Sequence, residues 1–177
     1  MSVKLVKKTD KSKLKRLYHK AFPKQEQKPF DLLLEKEQQG HADLFHIEKD
    51  GDFCGLAMFL YHGENVLLDY FAIDERLRGQ NLGSQALQVI MDEFEEQNLF
   101  LEIESTEVES EDKHIRKKRE KFYLRNGIKH LGITVKLREM EMMLMGNHKK
   151  ISFEEYKDLY SRVLSKDYAK KNVQLVV

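Results

Sequence analysis

A single cysteine, Cys54, stands in the 177 residues of the chain. It has no partner for an intrachain disulfide, and a zinc site built from cysteines is excluded with it. Proline is held to 2 residues and glycine to 9, while 41% of the chain is hydrophobic and 34% charged. That balance excludes collagen-like repeats and wholesale disorder. Neither sign of charge is in excess: 31 Lys and Arg face 30 Asp and Glu, a net charge of +1. No global field is present to hold nucleic acid or an anionic membrane, so neither is expected as a partner. The longest nearly uncharged apolar run, Phe53 to Tyr61, is far too short to cross a bilayer. The opening Met1-Ser2-Val3-Lys4-Leu5-Val6 lacks the apolar stretch of a secretory signal. The expected location is reduced and cytoplasmic. The seven histidines have no metal-like spacing, and no metal is expected.

What is present reads as one domain with a core of its own. Val3–Val6 predicts a short strand. Thr9 or Asp10 can cap a helix with Leu14, Leu17, Tyr18 and Ala21 on one face. After the breaks at Pro23 and Pro29, Phe30 to Gln39 predicts a second helix, with Leu32, Leu33 and Leu34 inside and Gly40 as its stop. Two strands, Leu44–Ile47 and Phe53–Tyr61, flank the hairpin signal Lys49-Asp50-Gly51-Asp52. A third, Val66–Ile73, is apolar on both faces except at Asp69, as suits the middle of a covered sheet. Ser84 to Asn98 predicts an amphipathic helix along Ala86, Leu87, Ile90, Met91 and Phe94. Leu99–Glu104 predicts a strand with Phe100, Glu102 and Glu104 on one face.

A basic helix follows from about Lys113 to Arg125, ended by Gly127, and then two strands, Ile133–Leu137 and Met140–Met145. Its basic run reads as a solvated face. Ser152-x-x-Glu155 is a capping box opening a last helix with an apolar stripe along Phe153, Tyr156, Leu159, Tyr160, Val163 and Leu164. Lys166 to Val177 is weakly patterned. The order predicts an α/β sandwich on a mixed sheet, the strands flanking the Ser84 helix being parallel.

The chemically informative segment is Arg78-Gly79-Gln80-Asn81-Leu82-Gly83-Ser84, between the buried strand and the amphipathic helix. Gly79, Asn81 and Gly83 tolerate unusual backbone angles. Such a loop can turn several N–H groups to one point, and the helix start adds unpaired N–H groups and partial positive charge. Together they suit an anion, most naturally a pyrophosphate. A plain strand-to-helix turn also needs glycine. The spacing fits neither a Walker loop nor a Rossmann fingerprint.

Here the sequence resembles the GNAT superfamily of acyl-CoA-dependent N-acetyltransferases, whose pyrophosphate loop reads Gln/Arg-x-x-Gly/Ala-x-Gly/Ala after the central fourth strand. Arg78-x-x-Asn81-x-Gly83 occupies that pattern, with Asn81 where glycine is usual. Lys121-Phe122-Tyr123-Leu124-Arg125-Asn126-Gly127-Ile128 resembles the family's second motif, Phe/Leu-Tyr-x-x-x-Gly-Phe. The likeness covers about Val3 to Met145.

The resemblance implies a mixed, mostly antiparallel central sheet flanked by helices; the helix opened by the Ser152 capping box is an extra C-terminal one outside it. The expected organisation is a GNAT-like domain over residues 1–148 and a helical extension of that domain over 149–177. The resemblance also implies acetyl-CoA as co-substrate, held by Arg78, Gly79, Gln80, Asn81, Leu82, Gly83 and Ser84. The pantetheine arm would pair with the backbone of Phe71, Ala72 and Ile73. Tyr123 would protonate the departing thiolate; as adjacent helix residues, Tyr123 and Phe122 cannot both face the core.

For the base, Asp69, Glu102, Glu104 and Glu64 stand as candidates, beside plain readings as buried hydrogen-bonded or solvated carboxylates. The acceptor expected is a primary amine, small molecule or peptide. The acidic Glu104, Glu107, Glu109, Glu111 and Asp112 suit a cationic one. A non-catalytic acyl-CoA-binding module and a regulatory interaction protein are the alternatives. The apolar stripe of the last helix is expected to dock on its own domain, with a homodimer the other solution.

Overall fold

The computed structural model describes residues 2–147 and 150–176. In chain order it runs β1 (Val3–Val6), α1 (Ser12–Ala21), α2 (Phe30–Gln38), β2 (Ala42–Lys49), β3 (Asp52–His62), β4 (Asn65–Ile73), α3 (Leu82–Glu93), β5 (Asn98–Glu104), α4 (Lys113–Arg125), β6 (Lys129–Leu137), β7 (Met140–Gly146), α5 (Phe153–Val163), α6 (Lys166–Asn172) and β8 (Val173–Leu175). Short 3₁₀ turns lie at Lys24–Glu26 and Glu75–Leu77. Among the described residues the hydrogen-bonded strand order is β1-β2-β3-β4-β5-β7-β6-β8. The β1–β2, β2–β3, β5–β7, β6–β7 and β6–β8 ladders are antiparallel, and β4–β5 is parallel, as a strand–helix–strand crossover requires. This is the mixed, mostly antiparallel sheet with flanking helices that the family resemblance implies. No helix among the described residues is long and apolar enough to cross a membrane.

The chain forms two compact units, Met1–Leu60 with Leu68–Glu93, and Tyr61–Leu67 with Phe94–Val177. The boundary expected between 148 and 149 lies outside the described residues.

In the first unit, α1 buries Leu14, Leu17 and Tyr18. Its N-cap is Lys11 rather than Thr9 or Asp10, although the Asp10 carboxylate still accepts the Ser12 N–H at 3.0 Å. In α2 only Phe30 and Leu33 are buried. Leu32 and Leu34 are half-buried, because residues on either side of Leu33 point about 100° away from it. Gly40, at φ 81°, closes α2: its N–H reaches the Glu37 carbonyl at 3.1 Å and the His41 N–H reaches that of Lys36 at 2.9 Å. The hairpin turn Asp50-Gly51 has φ of 51° and 87°, the pair of left-handed residues that matches strand twist. Cys54 is the extra residue at a bulge opposite Ile47/Glu48; it is buried, and its thiol donates to the Ile47 carbonyl at 3.3 Å. At Gly55 a Cβ would come within 2.4 Å of the Ala72 carbonyl, so this close approach of backbones requires glycine. α3 starts at Leu82, two residues before the expected Ser84, and ends at Glu93, with Ala86, Leu87 and Ile90 buried.

In the second unit, α4 has the expected bounds and closes on Gly127 at φ 90°. β6 begins at Lys129, four residues before the expected Ile133. The capping box holds: Ser152 Oγ accepts the Glu155 N–H at 3.1 Å and Glu155 Oε2 accepts the Ser152 N–H at 2.8 Å. Tyr156, Leu159, Tyr160 and Val163 of α5 are fully buried within the chain, so the stripe docks on its own unit. The sheet gains a further strand after β7. The weakly patterned tail forms α6 and then β8, which adds a strand against β6 over Val135↔Leu175 to Leu137↔Val173. A three-residue strand is too short for alternation to mark it.

His46 of β2 is buried at 2% exposure, and its Nε2 has no hydrogen-bond partner among the described residues. Burial, then the nearby charges of Lys11 and Lys8, hold its pKa below the ordinary value, against the opposing pull of Glu48 and Asp10. The unfolded chain therefore binds more protons than the folded one just below the ordinary histidine pKa, about 6.5. Stability from neutral His46 is present above that pH and is lost as pH falls through it. Thermal denaturation from pH 8 to pH 5 should show that loss, and His46→Leu should flatten it; an unchanged slope in the variant would contradict the assignment.

Candidate functional site

In the first unit the chain leaves β4 through a tight turn. Asp74 accepts the Arg76 backbone N–H at 3.0 Å and its guanidinium at 3.1 Å (Nε) and 2.7 Å (Nη2). These bonds, the side-chain ones foremost, hold the Asp74 carboxyl at about pKa 2. Arg76 is thus neutralised locally. Glu75 is taken by Lys20 at 2.8 Å. Arg78 is exposed and forms no ion pair among the described residues, so its charge remains available to a ligand.

Gly79 (φ 84°) and Asn81 (φ 61°) both adopt left-handed backbone, and α3 begins at the next residue, Leu82. Asn81 takes a positive φ where the motif usually has glycine, as asparagine does most readily among residues with a side chain. The N–H groups of Leu82, Gly83 and Ser84 have no acceptor one turn back in α3. A bent loop, a helix start and an unneutralised arginine meet the chemical demands of a pyrophosphate.

The parallel ladder of β4 with β5 spans Asn65↔Asn98, Val66↔Leu99 and Leu67↔Phe100 and ends there, while β4 continues through Phe71, Ala72 and Ile73. Asp69 of β4 has found a partner. Lys28 Nζ donates to Asp69 Oδ1 at 3.0 Å and Oδ2 at 2.9 Å, with both side chains buried. The surroundings fix this ion pair: Tyr70 Oη accepts the Lys28 N–H at 3.0 Å and donates to the Glu26 carbonyl at 2.7 Å, and Tyr18 Oη donates to the Lys28 carbonyl at 2.8 Å. The connection between α1 and α2 is thereby fastened to β4. The sequence reading missed Lys28; only the cost of a buried carboxylate hinted that some cation must meet Asp69.

In the second unit, Glu102 and Glu104 share a face of β5, and two helices meet that face. Glu104 pairs with Arg116 of α4 at 2.7 Å and with Arg119 at 3.8 Å. Glu102 Oε2 accepts the Tyr160 hydroxyl at 2.7 Å and the Tyr156 hydroxyl more closely still. Arg116, Arg119 and Tyr123 stand three and seven residues apart, one face of α4. Tyr123 is buried at 8% exposure and lies edge-on to Phe122, with centroids 5.2 Å apart. Its hydroxyl has no hydrogen-bond partner among the described residues. Burial pushes its pKa up to about 12, with the Arg119 charge acting the other way. Glu64 lies in the β3–β4 turn, where its carbonyl accepts the Asn98 N–H at 2.8 Å. Of the acidic segment, Glu109 pairs with Lys113, and Asp112 accepts from Ser110 at 2.7 Å and lies 3.0 Å from Arg116. Glu107 and Glu111 stay exposed, a smaller acidic surface than the sequence suggests.

A search of curated protein sequences finds no match. Solved structures match over nearly the whole chain. A Bacteroides thetaiotaomicron protein assigned to the GNAT acetyltransferases is 19% identical, with 96% of this chain and 99% of that one covered at a TM-score of 0.76. The ribosomal-protein-S18-alanine N-acetyltransferase of Escherichia coli is 17% identical over 85% and 95% of the chains, at 0.61. An aminoglycoside 6′-N-acetyltransferase complexed with coenzyme A is 12% identical over 83% and 96%, at 0.64. At these identities the likeness is one of fold. The sequence itself matches the acetyltransferase (GNAT) family over residues 11–126. That span takes in both the loop before α3 and the tyrosine of α4, and the chain therefore belongs to the acetyltransferase (GNAT) family of acyltransferases.

Proposed function

We propose that the chain transfers an acetyl group from acetyl-CoA to a primary amine by direct attack. The observation that carries this reading is the loop: two left-handed residues, Gly79 and Asn81, immediately before α3, with the Arg78 charge unneutralised beside them. In the proposed complex Arg78, Gly79, Gln80, Asn81, Leu82, Gly83 and Ser84 hold the pyrophosphate through backbone N–H groups, the helix dipole and the guanidinium. Phe71, Ala72 and Ile73 offer strand backbone to the pantetheine arm. That role is supported by β4 running on to Ile73 after its ladder with β5 has ended at Leu67. Residues 149–177 act as an extension of the same domain, supported by the contact of α5 with Glu102.

Acetyl-CoA supplies the activated thioester: a C–N bond forms to the amine, the C–S bond breaks, and the sulfur leaves with the bonding pair. Tyr123 gives that sulfur its proton. A phenol with a pKa of about 12 stays protonated across the physiological range, and its hydroxyl has no competing acceptor among the described residues. Among the carboxylates, Asp69 acts as the tether for Lys28, and Glu104 is the shared counter-ion of Arg116 and Arg119. Glu102, held by the Tyr156 and Tyr160 hydroxyls, is the one assigned to take the proton of the amine. The acceptor class, at this level, is a primary amine, and the exposed Glu107 and Glu111 favour a cationic one.

Free-thiol release from acetyl-CoA, measured against a polyamine, an amino sugar, lysine and a peptide with N-terminal alanine, tests the reading. At least one amine should be turned over, and Tyr123→Phe should lower turnover by about ten-fold or more with CoA affinity unchanged. CoA binding with no turnover on any amine would favour the non-catalytic module, and equal turnover in the variant would make Tyr123 a packing residue. Asp69→Asn separates tether from base by another route. It leaves the Lys28 ammonium buried without its counter-ion, at a cost of about 3–5 kcal/mol. Its melting temperature should fall by on the order of 10 °C. A variant that melts like the parent but loses turnover would identify Asp69 as the base instead.

A further inference from the structure

The mechanism leaves α5 unused, although it reaches a reacting group. Positions 156 and 160 are one helical turn apart, so Tyr156 and Tyr160 project from the same face of α5. Both are fully buried. Packing alone would be met by phenylalanine at either position, because a buried hydroxyl needs a partner and gains nothing for the core without one. Here both hydroxyls find the same partner atom, Glu102 Oε2. Two donors converging on one oxygen fix the rotation of the carboxylate as well as its position.

The surrounding contacts make this arrangement rigid. Phe100, on the same face of β5 as Glu102, meets Tyr156 at 5.9 Å in an edge-on contact. Tyr156 lies edge-on to Tyr160 at 5.3 Å, and Tyr160 stacks on Tyr168 of α6 at 6.0 Å with 19° between the rings. Arg138 Nε donates to the Tyr168 hydroxyl at 3.2 Å. The capping box at Ser152 fixes where α5 begins. The C-terminal segment therefore reaches Glu102 through an aromatic column anchored at both ends.

We propose that Tyr156 and Tyr160 are positioning residues that aim the Glu102 carboxylate at the acceptor amine, which makes the C-terminal helix part of the amine-handling apparatus. This rests on the reading in which Glu102 takes the amine proton. The two hydroxyls keep their own protons. They hold the acceptor still while it receives the proton of the attacking nitrogen, and misplacement by a fraction of an ångström is enough to slow such a transfer.

The experiment is a mutant cycle on the full chain, with acetyl-CoA and whichever panel amine is turned over fastest. The variants are Tyr156→Phe, Tyr160→Phe, their double, Glu102→Gln, and the double combined with Glu102→Gln, each checked for folding by circular dichroism. The double should lose roughly ten-fold in kcat/KM for the amine while KM for acetyl-CoA stays put. The same pair of changes on top of Glu102→Gln should cost nothing more, since the tyrosines are proposed to act on the amine through that carboxylate. Should the double not fold, either single in the two backgrounds gives the same comparison. An equal loss in both backgrounds, or no loss in the parent, overturns the positioning role. If Glu102→Gln is fully active, Glu102 is not the base and the inference falls with that assignment. If no amine is turned over, the acetyl-transfer reading has failed first, and this one with it.

Discussion

The first N–H groups of a helix have no acceptor one turn back, and in this chain those of α3 are presented by a loop that puts Gly79 and Asn81 in left-handed backbone. Much of the first unit serves to hold that loop where β4 delivers it. Asp74 locks the turn after β4 by capping it and by binding Arg76. Lys20 pairs with Glu75 at the same turn. Behind the loop, Ala86, Leu87 and Ile90 bury one side of α3. A donor cluster of this kind works only if the backbone is already shaped, because ordering it on binding would consume much of the interaction energy.

Three carboxylates on β4 and β5 show how differently one chemical group can be set. Asp69 meets an ammonium, Glu104 two guanidinium groups, and Glu102 two phenolic hydroxyls. Opposite charge beside a carboxylate turns it into structure: removing either partner strands a charge, so the pair is fixed. Two phenolic hydroxyls on one oxygen hold the Glu102 carboxylate in place.

The legible parts of this protein in its sequence were those with local causes. Asp50-Gly51 announces its turn, Ser152-x-x-Glu155 its cap, and Gly40 and Gly127 their helix ends, because each depends on residues within one turn of chain. The mixed sheet followed from element order, its mostly antiparallel character from the family resemblance, and the two motifs placed the loop and Tyr123 on the elements that carry them. What stayed hidden depends on distant partners. Lys28 is 41 residues from Asp69, and Tyr156 and Tyr160 are 54 and 58 residues from Glu102. β8 carries no alternation of its own and exists because β6 offers it an edge. The apolar run of α3 pointed to Asn98 as its end, but the helix stops at Glu93 and Asn98 opens β5.

The central claim is that the N–H groups around Asn81 receive the pyrophosphate of an acyl-CoA. Amide hydrogen exchange with and without saturating CoA tests it at those groups directly. Exchange over Arg78 to Ser84 should slow when CoA is present in the parent chain, and Arg78→Glu should abolish most of that protection while leaving the rest of the exchange pattern intact. Unchanged exchange across this loop at saturating CoA would contradict the account.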